Sequence, residues 1–294
     1  MSENKGLKTN TYRKESTDEM IVEVQKEFNY SNYYYKRLTI VPKTVDSANE
    51  GKPKKEKLVF YDIKFQYCTF DSCYIRDCKF EKCDFTGCKF INSNLSGSSF
   101  IDCDFKYAQF EKTMVDNDIL NTDFHQYSDA ENLKWKFART LRLNYQQLGD
   151  TASVNKAIRV ELNATKLHLK HIWSSQKSYY KNKYNKFNER TLGFIKWLVF
   201  CILDFVWGNG ESIWKLVRTT MLFLLSISII NTLNYGNPDS ITSYVSHFIN
   251  SIPLFFGVAK NSECNELYLS IITLVRLVLF GLFMSVLIKR FNRR

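Results

Sequence analysis

Residues 60–90 read FYDIKFQYCTFDSCYIRDCKFEKCDFTGCKF, and every fifth position in that stretch is a large apolar side chain. The beat runs on without a slip through Phe60, Phe65, Phe70, Ile75, Phe80, Phe85, Phe90, Leu95, Phe100, Phe105, Phe110, Val115 and Leu120. Neither a helix, with period 3.6, nor a flat strand, with period 2, keeps such spacing on one side. The chain must therefore turn a corner every five residues. Two positions before each large residue lies a second column, mostly small: Cys68, Cys73, Cys78, Cys83, Cys88, Ser93, Ser98, Cys103, Ala108 and Thr113. Two inward columns, one large and one small, describe a solenoid packed down its own axis.

This column pair resembles the pentapeptide-repeat family, whose unit carries Leu or Phe at its centre and a small residue two positions earlier. The resemblance implies a right-handed parallel β-helix with four pentapeptides in each square coil. The thirteen units between Phe60 and Leu120 then make roughly three coils, a stack about 15 Å tall at the usual strand spacing. Such a stack is short for a stand-alone rod, and Cys68 should lie one coil from Cys88, as Cys83 should from Cys103.

The same register accounts for the cysteines. Six of the eight fall in the small column, where a thiol serves as a small buried hydrophobe. No Cys-x2-Cys pair occurs, so the spacing gives no metal site. The thiols are expected to stay reduced, which suits a cytosolic head.

Composition changes sharply along the chain. Residues 214–233 and 267–288 are each about the length of apolar helix that a bilayer core requires, and they read as two transmembrane helices. Residues 1–57 are polar and charged and read as an N-terminal extension and linker, with no secretory signal. The net charge of +11 divides into clusters. Residues 166–190 hold six lysines and Arg190 against Glu189, interleaved with Tyr179, Tyr180, Tyr184 and Phe187, and Lys289, Arg290, Arg293 and Arg294 close the chain. Their position beside the apolar segments favours anionic lipid at a cytoplasmic face over nucleic acid, with a solvated helix face as the alternative for 166–190.

After Leu120 the five-residue beat stops. Ser128-Asp-Ala-Glu131 has the pattern of a capping box. Leu133, Phe137, Leu141, Tyr145 and Leu148 then recur at helical spacing. Gly149 should end that helix and Asp150 start another, through Val154, Ile158, Leu162 and Leu169, giving a helical hairpin that would cover the open end of the β-helix. Leu148-Gly149-Asp150 with Ala157 and Glu161, and Gly208-Asn-Gly210-Glu211-Ser-Ile-Trp214, resemble the linker of bacterial pentapeptide-repeat membrane proteins that end in a two-helix, potassium-channel-like domain. That resemblance implies an oligomer, a tetramer for a pore shared among chains.

The organisation expected is thus a multidomain membrane protein. An N-terminal extension (1–57) precedes a short right-handed parallel β-helix (58–124). A cytosolic helical hairpin and basic neck (128–190) is followed by an interfacial helix and turn (192–213) and an α-helical two-transmembrane pore-like domain with a re-entrant loop (214–294). Basic flanks at Lys215 and Arg218 and at Lys289 to Arg294 place both termini in the cytoplasm of a bacterial inner-membrane protein and the 234–266 loop outside. Leu192 to Trp207 carries Lys196 and Asp204 and suits the interface. Ile241 to Ala259 is too polar for lipid and reads as a re-entrant helix, broken at Pro253 and Gly257 into an extended pore loop: Pro253, Leu254, Phe255, Phe256, Gly257, Val258, Ala259 and Lys260. The loop has no Gly-Tyr-Gly, which argues against the carbonyl ladder of a potassium filter. It forms either a hydrophobic gate or part of a non-conducting assembly module. Arg276, within the second span, either lines the permeation path, pairs at a subunit interface, or reaches polar groups of the re-entrant loop.

No catalytic constellation, metal set or cofactor motif is present, and an enzyme is not expected. His168 and His171 lack a third ligand and read as solvated helix positions. Gly208-Asn-Gly reads as a turn. The function expected is an oligomeric ion channel or pore, not potassium-selective, with a cytosolic sensor or protein-binding head. The alternative is a non-conducting membrane-tethered scaffold that binds a protein through the β-helix. A DNA-mimic role, known among soluble pentapeptide proteins, is disfavoured by the membrane segments and by a head with seven basic and ten acidic residues over 58–120.

Overall fold

The computed structural model describes residues 32, 34–40, 44–45, 54–55, 58–124, 126–258 and 265–291. They fall into two compact units, Met1–Phe194 and Ile195–Arg294. Strands β1 Tyr34–Lys36, β2 Thr39–Ile40, β3 Thr44–Val45, β4 Lys54–Lys55, β5 Val59–Tyr61, β6 Thr69–Asp71, β7 Tyr74–Ile75, β8 Lys79–Glu81, β9 Lys89–Ile91, β10 Ser99–Ile101 and β11 Gln109–Glu111 lie in the first. β3 and β4 pair antiparallel, and the other described ladders are parallel. Phe60 pairs with Phe80 and Phe80 with Phe100, while Phe70 pairs with Phe90 and Phe90 with Phe110. Partners are thus 20 residues apart in sequence, which is four five-residue units per coil. Bridges Lys64–Asp84–Asp104 and Tyr74–Asn94–Met114 complete the remaining faces. The head is a pentapeptide-repeat β-helix.

The corners have a backbone signature. Asp62, Tyr67, Ser72, Asp77, Lys82, Asn92, Asp102, Tyr107 and Lys112 all have φ between 47 and 61°, and Gly87 and Gly97 fill the same position in their units. Left-handed backbone costs an L-residue about 1–2 kcal/mol. Hydrogen bonds between coils offset that cost: the corner amides of Asp62, Ser72, Lys82 and Asn92 donate to Glu81, Ile91, Ile101 and Glu111 at 2.9–3.0 Å. At Gly87 and Gly97 a side chain has no room, because the Tyr67 ring and the Asp77 carboxylate occupy the space.

Inside, the large column forms aromatic stacks. Tyr35, Phe70, Phe90 and Phe110 stack at 4.9–5.0 Å, and Phe60, Phe80 and Phe100 at 4.8–5.2 Å. The small column does more than pack. The Cys88 thiol donates to the Phe65 carbonyl (2.7 Å), Cys103 to Phe80 (3.4 Å), Ser93 to Phe70 (3.0 Å) and Ser98 to Ile75 (3.1 Å). Each of these four residues therefore satisfies a carbonyl of the preceding coil, which alanine could not do. Burial and the neighbouring Cys68 thiol push the Cys88 thiol up, and the Cys83 thiol together with burial does the same to Cys103. The seven described cysteines are all free thiols.

The parallel ladder also starts earlier than residue 58. β1 pairs with β6 through Tyr35 and Phe70, and β2 pairs with β7 through Ile40 and Ile75. Tyr35 and Ile40 keep the five-residue phase of Phe60, but a hairpin of β3 and β4 separates them from it. The interruption conceals this first coil from a repeat count.

The far end of the β-helix is closed by α1, Ala130–Leu148. Phe137 stacks on Phe105 at 5.5 Å, extending the Phe65–Phe85–Phe105 column. Asn144, fully buried, accepts from the Thr113 amide (2.8 Å) and donates to the Thr113 carbonyl (2.7 Å). One side-chain amide thus supplies the donor and acceptor that another coil would have offered. The capping box expected at Ser128 does not form: the helix begins at Ala130 without a side-chain cap, and the Ala130 amide donates to Tyr127. Its first turn is buried against the β-helix, so packing fixes the start.

Gly149, at φ 73°, ends α1, and the Asp150 carboxylate accepts from the Ser153 amide to start α2, Thr151–Ser174. Arg142 and Glu161 bridge the two helices at 2.7 Å. α3 is Ser178–Lys183 and α4 is Phe187–Trp207, longer at its start than the expected interfacial helix. The second unit contains α5 Ile213–Tyr235, α6 Ile241–Phe256 and α7 Glu266–Phe291.

Candidate functional site

α5 and α7 are long and apolar enough to cross a membrane, and only 22% and 17% of their most apolar windows are buried. Apolar helices left so uncovered demand a non-aqueous surrounding or a partner. Between them α6, with 16 residues, is about 24 Å long at the helical rise, short of a full crossing. It packs through Leu254 and Phe255 against a core of Leu216, Leu224, Ile227, Ile272 and Leu279.

Polar groups tie the three helices together. The Ser228 hydroxyl donates to the Tyr244 carbonyl at 2.9 Å, and the Tyr268 hydroxyl donates to Asn231 at 3.3 Å. Ser228, Asn231 and Thr232 are all buried. In an apolar surrounding such bonds fix the register of helix on helix. Sequence reading passed over these residues because single polar positions barely dent the apolar average of a helix.

The turn into α5 is equally defined. Gly208, Asn209 and Gly210 all have positive φ, the residues a tight reversal calls for. The Ser212 hydroxyl caps α5 by accepting from the Lys215 amide, Lys215 pairs with Asp204 at 2.7 Å, and Glu211 pairs with Lys289 at the end of α7. Asp204, a carboxylate within an apolar helix, therefore has a cation beside it.

The expected pore loop is not extended where the structure describes it. Pro253, Leu254, Phe255 and Phe256 form the last turn of α6. Proline removes one backbone donor but does not end the helix, because Leu254 and Phe255 gain burial by continuing it. Gly257 stops it, at φ 74°: its amide donates to Leu254, and that of Val258 to Pro253. Ala259 and Lys260 lie outside the described residues.

Arg276 reaches this stop from α7. Its Nη1 donates to the Phe255 carbonyl at 3.4 Å, and its guanidinium occupies the space that a side chain at Gly257 would need. A cation at the carboxyl end of a helix meets the negative end of the helix dipole. The geometry sets Arg276 against the backbone at the carboxyl end of α6.

His168 and His171 are not simple solvated positions. α3 folds Tyr180, 1% exposed, against both rings, and its hydroxyl lies 2.9 Å from His168 Nδ1. Burial, with Lys183 and Lys136 nearby, lowers the His168 pKa to about 4. Among the described residues no three His, Cys, Asp or Glu side chains converge as a metal site.

Residues 78–114 match the family model for pentapeptide repeats in 8 copies, all inside the head. Among solved structures the chain is similar to the pentapeptide repeat protein Rfr23 from the cyanobacterium Cyanothece 51142, at 13% identity over 29% of this chain and 68% of that one, with a TM-score of 0.12. No curated protein matches the chain significantly.

Proposed function

We propose that this protein is an oligomeric ion channel or pore of a bacterial inner membrane, with both termini cytoplasmic and the β-helix serving as a cytosolic sensor or interaction head. The observation that carries the reading is the order α5, α6, α7: two helices of spanning length around a short helix packed against both and stopped at Gly257 under the Arg276 guanidinium. A two-helix unit is too small to enclose a path alone, so the reading requires several copies, four by resemblance. Basic residues at the ends of α5 and α7 favour anionic lipid at the cytoplasmic face. No catalytic role is included. Potassium selectivity is not part of the proposal, because the loop sequence has no Gly-Tyr-Gly for a carbonyl ladder.

One observation favours the second reading, a membrane-tethered scaffold that does not conduct. Pro253 to Phe256 are helical, with Leu254 and Phe255 buried, so this stretch lacks the extended backbone from which a carbonyl filter is built. Ion flux through liposomes containing the purified protein separates the two. Under the channel reading, flux occurs with the parent protein, and Arg276→Glu alters its charge preference if Arg276 borders the path. Liposomes that remain tight under every added ligand, lysate or voltage would leave the scaffold.

A further inference from the structure

α4 is built the wrong way round for a helix in water. Leu192, Ile195, Leu198, Val199, Ile202 and Phe205 share one side of its 21 residues, and each is 42–53% exposed. The opposite side, marked by Arg190, Gly193 and Asp204, is the one that meets protein. Arg190 Nε donates to the Tyr184 carbonyl at 3.1 Å, a side chain at Gly193 would collide with Ile172, and Asp204 pairs with Lys215 at 2.7 Å. A helix on the surface of a soluble protein turns its apolar stripe inward and its charges out. Here the charges are held and the apolar side is bare.

We propose that the bare side of α4 rests on lipid, sunk to the acyl boundary of a phospholipid leaflet, with the polar side turned to protein. This contact presupposes that α5 and α7 span a bilayer, and it assigns α4 a face and a depth within that reading. Two observations choose lipid over a protein partner. Residues 208–212 alone separate α4 from α5, where the Arg218 guanidinium donates to the Phe205 carbonyl and the Thr219 hydroxyl to that of Val206 at 2.9 Å. The end of α4 is thereby held where α5 enters the bilayer. The second observation is charge: Lys196, exposed, borders the bare side, and Lys186, also exposed, stands beside Phe187, which is 83% exposed. A leaflet interface takes such a pattern, the lysine stem on apolar surface and its ammonium at a phosphate. Depth follows from the same lysine. The 21 residues of α4 measure about 31 Å at the helical rise, but a crossing would carry Lys196, halfway along, to the bilayer centre. The helix therefore lies along the leaflet.

The test uses the full-length protein in nanodiscs of phosphatidylcholine and phosphatidylglycerol, with Cys201→Ser and Cys264→Ser removing the thiols outside the head; those in the head are buried. Nitroxide labels are placed one at a time at Ile195→Cys, Val199→Cys and Ile202→Cys. Leu225→Cys, at an exposed position midway along α5, reports the bilayer, and Lys89→Cys, on the outer face of the head, reports water. Power-saturation electron paramagnetic resonance compares collisions with oxygen, which concentrates among acyl chains, and with a nickel chelate, which stays in water. The three α4 labels should favour oxygen, by a smaller margin than Leu225, while Lys89 favours the chelate. With oxygen favoured at Leu225, an excess of chelate at the α4 labels would overturn the contact by placing that side in water. Weak collisions with both agents would overturn it by placing protein there, such as a second copy, and a margin equal to that of Leu225 would put α4 through the bilayer. An excess of chelate at Leu225 would remove the membrane reading and this contact with it. A labelled variant that fails to fold leaves two others to decide.

Discussion

Replacing Asn144 by alanine tests how the β-helix ends. The side chain is fully buried and holds both backbone groups of Thr113, itself fully buried, at 2.8 and 2.7 Å. Alanine removes both partners and admits no water in their place, so the Thr113 amide and carbonyl are left unsatisfied. Each such group costs about 1–3 kcal/mol, which puts the loss for the two at about 2–6 kcal/mol in the last coil. Hydrogen exchange read by mass spectrometry on the peptide around Thr113 is the fitting assay, because it reports local opening. At the lower end, exchange should accelerate by about 30-fold. Gln147 is the internal control: it accepts from the Lys112 amide at 2.9 Å, but in an exposed setting where water can replace it, so Gln147→Ala should change little. Equal exchange in parent and Asn144→Ala would refute the idea that α1 substitutes for a coil.

Phe90→Ala, at a position 1% exposed and stacked between Phe70 and Phe110, should destabilise the head by about 3–5 kcal/mol. Lys89→Ala, on the outer face, should be nearly silent in the same denaturant series. Gly257→Ala should lower the melting temperature in detergent, because it forces a side chain into left-handed backbone and against the Arg276 guanidinium. Gly281→Ala, where a side chain meets open space, should leave it unchanged or raise it slightly. Acidification should weaken the helical hairpin through His168. Its pKa is lowered to about 4 in the folded protein, against about 6.5 in an unfolded chain, so the unfolded state binds more protons between those values. Stability from this group is complete above about pH 6.5 and falls as the pH drops towards 4. Thermal melts of His168→Gln should show a shallower decline across that window.

The β-helix was legible because its five-residue period matches no other regular structure and because Phe60 to Leu120 never leave phase. Its first coil was not, since Tyr35 and Ile40 stand apart from Phe60 across an insertion. The cap by Asn144 was equally hidden: a buried asparagine on a helix reads as one polar position until the strand edge beneath it is known. At the other end of the chain, spacing and hydropathy gave the helices but misread Pro253 as a breaker. Proline's missing donor is a local cost, and burial of Leu254 and Phe255 outweighs it. Gly257, one helical turn further on at φ 74°, carried the stop. The approach of Arg276 to that stop joins residues 21 apart in sequence and has no signature in either helix alone. The reading of Ser128 as a cap failed for a related reason, since a motif states what a helix start can use and tertiary packing decides what it does use.

The way α1 finishes the solenoid also limits how the head could lengthen in evolution or by design. Because its asparagine addresses one particular side of the square, growth is quantised. Inserting four further pentapeptides before Thr113 would raise the terminator by about 4.8 Å and leave it facing the same wall. A single added pentapeptide would swing it by a quarter turn, onto a side where neither its amide nor Phe137 finds the group it covers.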